Sequence, residues 1–334
     1  MVKRLFVAVQ IFSLIALASA IAIAQNGQSA RPNAQAERIV PAADHHQHLF
    51  SQARVDFQPS SLKTITAQDV IGFLDQAGIR RAVLLSTAYA YGRPGSEPPD
   101  EYARVRAEND WNGAQAALFP KRLIAFCGFN PLKEYALDEI ERCAKSPHLR
   151  RGIKLHFGNS DVQIEVPEHF EKLKKVFQAA NARRMAIVVH MRASISKKRP
   201  YGPEQARAFL ELLSFAPDIV VQVAHLASSG PGYDDPSGHA VVEVLADAVA
   251  KKDPRTRKLW FDVTANAHPT NTPEVSALLV KVIRKIGVGR VLYGTDAALG
   301  DNLRPREAWA AFRQLQLSER ELKTVARNVA PYLR

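Results

Sequence analysis

The sequence predicts an α/β fold, specifically a (β/α)8 TIM barrel, and three observations carry that expectation. Short apolar runs alternate with longer segments of helical period along nearly the whole chain. The runs are continuously apolar, which suits parallel strands buried on both faces. Eight such units fit the length, since His48 to Asp296 covers about 250 residues, the size of an eight-unit barrel. An open doubly wound sheet is the alternative. It wants a glycine-rich phosphate loop after the first strand, and "DHHQHLF" (44–50) is nothing like one.

The elements follow in order. The first strand is read in "IVPAADHHQH" (39–48). A long connection (49–65) leads to the helix "TAQDVIGFLDQAG" (66–78), where Val70, Ile71 and Leu74 share a face and Gly78 ends the helix. The second strand is "RAVLLST" (81–87). After a second long connection (86–98), the helix at 99–118 opens on proline and acidic residues, a normal helix start. Strands three and four are "RLIAFCGF" (122–129) and "RGIKLHF" (151–157). The helix at 167–182 turns Phe170, Leu173, Val176 and Phe177 inward. Strand five is "MAIVVH" (185–190), followed by a helix at 203–216. Strand six is "IVVQVAH" (219–225), followed by a helix at 239–252. Strand seven is "KLWFDV" (258–263), followed by a helix at 272–287. Strand eight is "RVLYGTD" (290–296), and helices at 305–316 and 318–333 close the chain. The two long connections fall at the catalytic end of such a barrel, where lids form.

The segment ahead of the barrel reads as an export signal. Lys3 and Arg4 precede the apolar run 5–24, which ends in two small-x-small sites, Ala18-Ser19-Ala20 and Ala22-Ile23-Ala24. Residues 1–24 are therefore expected to be a signal peptide, 25–37 a polar disordered leader, and 38–334 the barrel domain. The alternative is a retained membrane anchor. Well-formed cleavage sites favour removal, and with it a periplasmic or extracellular protein without stable membrane insertion.

The formal net charge of the whole chain is +12. Its basic residues are scattered, as in "ARR" (182–184), "SKKRP" (196–200) and "KKDPRTRK" (251–258), with no interleaved aromatics. They read as solvated faces and argue against nucleic acid, leaving only a loose preference for anionic surfaces or substrates. A small-molecule substrate is the expected partner, and homo-oligomerisation stays open. Cys127, at the end of strand three, and Cys143, on the helix that follows, are the two cysteines. A disulfide and two separate buried thiols both remain open.

Metal-type ligands stand at matching strand ends. His46 and His48 are two apart on strand one and share a face, whereas His45 alternates away and reads as structural. His190 ends strand five, His225 ends strand six and Asp296 ends strand eight. Lys154 and His156 share a face of strand four. A lone histidine at a strand end is usually a hydrogen-bonded core residue. Their joint placement on strands one, five, six and eight points instead to a metal site.

The His-x-His of strand one, with His190, His225 and Asp296, resembles the amidohydrolase superfamily. "GIKLH", "YGTD" and "RNVAPYL" resemble its amidohydrolase-related branch, which includes the aminocarboxymuconate-semialdehyde decarboxylase type. The resemblance covers roughly residues 40–333. It implies that His46, His48, His190 and Asp296 bind one zinc ion, and that His225 acts beside it as acid/base or substrate polariser. It also implies a dinuclear alternative, in which a carbamylated Lys154 bridges two zinc ions and His190 and His225 hold the second. One ion is favoured, because Lys154 lies two residues before its strand end. Lys154 is then a buried cation facing Asp296 or the substrate.

Other residues are weaker candidates. His156, Arg192 and His268 are expected at the substrate, Arg192 against a carboxylate. Asn266 is placed at the mouth, and Tyr89, Tyr91 and Arg93 in a lid. Asp44 and Asp262 are expected behind ligand histidines. The expected activity is metal-dependent hydrolysis of a carbonyl, ester, lactone or amide by an activated water, with Asp296 able to take its proton. The alternative is metal-dependent non-oxidative decarboxylation of a small unsaturated or aromatic acid. A binding protein on a degenerate barrel is disfavoured by the intact ligand set.

Overall fold

The computed structural model describes residues 39–58, 62–193 and 198–334. The expected signal peptide and leader lie outside the described residues. One eight-stranded parallel sheet runs in sequential order through β1 (Ala43–Gln47), β2 (Arg81–Leu85), β3 (Leu123–Gly128) and β4 (Gly152–His156). It continues through β5 (Ala186–His190), β6 (Val221–Val223), β7 (Leu259–Asp262) and β8 (Val291–Leu292). Backbone bonds from His45 N to Tyr293 O (2.9 Å) and from Asp296 N to His46 O (2.8 Å) join the last unit to the first. The (β/α)8 expectation is borne out.

The helices flank the strands. They are α1 (Gln52–Phe57), α2 (Ala67–Ala77), α3 (Glu101–Ala117), α4 (Ala136–Lys145), α5 (Phe157–Ser160) and α6 (Pro167–Ala182). Then come α7 (Pro203–Leu213), α8 (Pro236–Ala250), α9 (Pro273–Ile286), α10 (Pro305–Phe312) and α11 (Glu319–Arg327). Their ends follow local chemistry. Thr66 and Asp69 form a reciprocal cap on α2, and Gly78 closes it at φ 70°. A proline opens each of α6 to α10, where its missing N–H is not needed. The helix expected over 318–333 stops at Arg327. Residues Pro331–Leu333 form a single 3-10 turn instead. No described helix is long and apolar enough to cross a membrane.

Alternation along the strands divides the core. On β2, Val83 and Leu85 point into the barrel, and Ala82 and Leu84 point to the helices. Val83, Leu85, Phe126 and Val188 pack inside with Tyr332 and Leu333. The chain's last turn thus plugs the N-terminal end of the barrel. Cys127 on β3 and Cys143 on α4 are joined as a disulfide, so the pairing left open by sequence is made.

Two expectations are corrected here. First, β6 and β8 are shorter than read, and His225 and Asp296 lie on turns beyond them. His225, Leu226 and Ala227 have φ of 52°, 48° and 64°, and Asp296 has φ of 55°. Left-handed backbone is unfavourable for residues with a Cβ, and here hydrogen bonds hold it. His225 N donates to Asp262 Oδ1 (2.9 Å), and His225 O accepts from Ser228 Oγ (2.7 Å) and Asn266 Nδ2 (3.1 Å). Second, several basic residues that look scattered in sequence converge. Arg80–Arg81, Lys121–Arg122, Arg150–Arg151 and Arg183–Arg184 lead into β2, β3, β4 and β5, and Arg257–Lys258 leads into β7. Parallel strands bring all of these to one end of the barrel.

Candidate metal centre

Three imidazoles are held in the same way at the opposite end. The proton on His46 Nδ1 is directed at Asp262 Oδ2 (3.2 Å), that on His48 Nδ1 at Leu85 O (2.5 Å), and that on His225 Nδ1 at Thr264 O (3.0 Å). With the proton fixed on Nδ1, each ring presents the Nε2 lone pair, the form a metal requires. Ligating atoms of His46, His225 and Asp296 all lie within 4.8 Å of one another. His48 Nε2 stands 3.6 Å from Asp296 Oδ1, and that buried oxygen has no hydrogen-bond partner among the described residues.

Local sequence explains the convergence. "YGTD" brings its chain against β1, and a Cβ on Gly294 would stand 2.9 Å from His46 Cβ. Asp44 ties the same turn down. It accepts from Thr295 N (3.2 Å), from Gln47 Nε2 (2.8 Å) and from His46 N (3.1 Å). Asp44 therefore fixes backbone and does not touch a ligand ring, contrary to expectation. Asp262 does stand behind a ligand, and it also accepts from Gln222 Nε2 (2.6 Å). Gln222 in turn accepts from the Tyr332 hydroxyl. A buried polar chain thus links the C-terminal plug to His46.

Burial dominates the electrostatics. It lowers the imidazole pKa to about 3 at His46, with Lys154 adding to the effect, and to about 4 at His225. His48 and His190 also fall well below the usual histidine range, chiefly by burial. All four rings are neutral near pH 7, as metal ligation demands. Burial alone would raise the Asp262 carboxyl. The His46 and His225 imidazoles beside it, and the hydrogen bonds it accepts from His46 and Thr264, outweigh burial and hold Asp262 well below the usual carboxylate range. Burial pushes Asp296 well above the carboxylate range, helped by the nearby Asp262 and Asp44 carboxylates and opposed by Lys154. Lys154 falls to about 8 by burial, against the pull of Asp262 and Asp296.

The remaining candidates divide. Lys154 is almost completely buried, and its ammonium lies 3.2 Å from His46 Nε2. His190 does not join the close group expected for it. It stacks on His156 at 4.1 Å between ring centroids, and its Nδ1 has no partner among the described residues. His225, expected beside the site, takes the third place in the group. His156 faces Tyr89 and His190, while its Nδ1 accepts from Asn159 N. Arg192 is buried, paired through Nε with Asp235 Oδ2 (3.2 Å) and set over the Tyr201 ring, with Nη1 unpartnered among the described residues. His268 bonds through Nδ1 to Thr270 in its own turn and lines a small cavity with Gly294 and Thr295. Asn266 holds the His225 turn instead of lining the mouth. Tyr89 is buried beside His156, Tyr91 packs on Phe57, and Arg93 is exposed and contributes nothing to the cluster. His45 is structural as expected, its ring bound to Tyr293 O and Ala330 N.

The donors fit one divalent cation: neutral imidazoles with preset lone pairs, one carboxylate and an unsatisfied buried oxygen. The chemistry open to such a centre is electrostatic stabilisation of negative charge beside buried neutral imidazoles.

Solved structures share the barrel. One is 2,6-dihydroxybenzoate decarboxylase from Rhizobium, at 16% identity and a TM-score of 0.59, covering 86% of this chain and 96% of that one. Another is 5-carboxyvanillate decarboxylase from Sphingomonas paucimobilis, at 16% identity and a TM-score of 0.57, with the same coverage. A third is 5-carboxyvanillate decarboxylase from Novosphingobium aromaticivorans, complexed with manganese and 4-hydroxy-3-methoxy-5-nitrobenzoic acid. It has 14% identity and a TM-score of 0.59, covering 86% of this chain and 94% of that one. No curated protein matches the sequence. These structural relatives are decarboxylases, and on that finding the hydrolytic expectation is corrected. A family model described as amidohydrolase matches residues 43–330, nearly the whole barrel, and the chain belongs to the amidohydrolase family.

Proposed function

We propose that the protein is a metal-dependent non-oxidative decarboxylase of a small aromatic or unsaturated acid. The observation that carries this reading is the likeness, over 86% of the chain, to barrels that decarboxylate hydroxylated benzoates. The burial of the site's side chains agrees with it. His46, His48, His190 and His225 are nearly inaccessible. A carboxylate that leaves as CO2 gives up its charge, and a water-poor pocket favours that direction.

His46, His225 and Asp296 are the residues that would hold the cation, with His48 and His190 flanking them. The cation supplies a positive charge that anchors and polarises the acid. Zinc suits the nitrogen-rich donors, and manganese is the ion named with one relative.

The chain's own groups complete the chemistry. Asp262 keeps the His46 proton on Nδ1. Lys154 places an ammonium beside His46, and Arg192 offers a buried guanidinium with a free edge to a second anionic or phenolic group. Lys154 in its protonated form stands ready to pass a proton to the carbon that loses CO2.

The test is release of labelled CO2 from a panel of carboxyl-labelled hydroxybenzoates, run beside a panel of esters and lactones. Labelled CO2 with deuterium from heavy water at the vacated carbon is expected. Turnover confined to esters or lactones would contradict the reading.

A further inference from the structure

The end of the barrel opposite the metal centre is strongly cationic. One depression there, of about 760 Å3, is lined by Arg150, Arg151, Arg183, Arg184 and Lys258 against a single carboxylate, Asp218. A second, of about 600 Å3, is lined by Arg80, Arg81, Lys121 and Arg122 against Asp75.

Ordinary structural roles explain only some of these charges. Helices of a (β/α)8 barrel end at this face, and basic side chains there can cap their carbonyls. Arg122 bonds to Arg80 O and Asp75, Arg81 to Leu333 O, and Arg183 to Ala179 O and Glu141. The other six, Arg80, Lys121, Arg150, Arg151, Arg184 and Lys258, are exposed. Among the described residues their side chains make no ion pair with an acid and no hydrogen bond. Six like charges facing only Asp218 and Asp75 repel one another. They call for an external anion.

The path of the chain says which anion. The described chain begins at this face: Ala42 lines the second depression, and a Cβ on Gly78 would lie 3.6 Å from Val40. Ahead of it in sequence lies the apolar run 5–24. A chain held at a bilayer by that run enters the barrel at its cationic end and not at the metal centre. The metal centre lies at the other end of the barrel. Nucleic acid fits less well. The one aromatic lining either depression, Tyr332, is buried and bonded to Gln222, so it offers no base-stacking surface.

We propose that the N-terminal end of this barrel docks on an anionic lipid surface. The docking is electrostatic and peripheral, and it is independent of the reaction at the other end.

The test is co-sedimentation of the full chain with phosphatidylcholine vesicles and with vesicles containing about 30% phosphatidylglycerol. At about 0.05 M salt the anionic vesicles should bind at least about tenfold more protein, and about 0.5 M salt should abolish the difference. Any insertion of the apolar run is common to both vesicle types and cancels in the comparison. The variant R150Q/R151Q/R184Q/K258Q should lose the enhancement. The charge-preserving R150K/R151K/R184K/K258R should keep it, and so should K63Q/R93Q/R106Q/K175Q, which removes four exposed cations elsewhere. Equal binding to both vesicle types would overturn the proposal, as would enhancement surviving the first variant. Displacement from anionic vesicles by an equimolar short DNA duplex would also overturn it, in favour of a nucleic acid.

Discussion

The Lys154 ammonium lies 3.2 Å from Nε2 of His46, on the lone pair that His46 would offer a metal ion. A proton on Lys154 and a cation on His46 therefore compete for one space. Burial lowers Lys154 to about 8, so the competition falls in an accessible range. Affinity for manganese should rise about tenfold from pH 7 to pH 9 as Lys154 loses its proton. Lys154→Met should remove most of that rise. Calorimetric titration across the range checks this, and a flat native profile would speak against the competition.

Asp262 sets the tautomer of His46, and it does so from outside the ligand group. Asp262→Asn should weaken metal binding about 10- to 100-fold. Equilibrium dialysis against a metal indicator measures the change. An unaltered dissociation constant would remove Asp262 from the account.

Arg192 is buried against Asp235 with one guanidinium nitrogen unpartnered among the described residues. If that edge receives the acid substrate, Arg192→Lys keeps the charge and loses the fork. KM should rise about 10- to 100-fold with a smaller change in kcat. A fall confined to kcat would place Arg192 elsewhere in the reaction.

Acid should destabilise the metal-free protein through its neutral buried histidines. Burial lowers His45 to about 4, His46 to about 3 and His225 to about 4. Burial likewise lowers His48, His156 and His190 well below the usual histidine range. In this window the unfolded chain binds more protons. The stability is therefore present above about pH 6.5 and lost as pH falls toward 4, by at most about 1.4 kcal/mol per histidine per unit. Asp44, raised to about 6 by burial, works in the opposite direction, as does Asp296. Two carboxyls do not offset six imidazoles. Urea midpoints between pH 7 and 4.5 should fall steadily, and a constant or rising midpoint would contradict this.

Much of the barrel is visible in the sequence because buried parallel strands are short unbroken apolar runs. Ligand types at strand ends follow from the same pattern, and His46, His48 and Asp296 are found at the site on that basis. What fails is what depends on backbone beyond the strands. His225 and Asp296 sit on left-handed turns that no apolar period announces. His225 joins His46 and Asp296 in the close group and His190 stacks on His156 instead, because ring positions depend on partners such as Thr264 and His156, far away in sequence. Gln222 reads as one polar residue in an apolar strand, and Tyr332 as part of a terminal helix. Their link to Asp262 exists only once the barrel closes. The cationic end was also hidden, since its pairs are about 30 to 70 residues apart and only parallel pairing brings them together.

The imidazole–carboxylate group at the barrel mouth should hold one divalent ion. Elemental analysis of the untagged full chain, loaded with manganese or zinc and then desalted, tests it most directly. About one equivalent per chain is expected, lost in His46→Ala. Two equivalents would contradict it in favour of a bridged pair of ions at Lys154, and none would contradict it altogether.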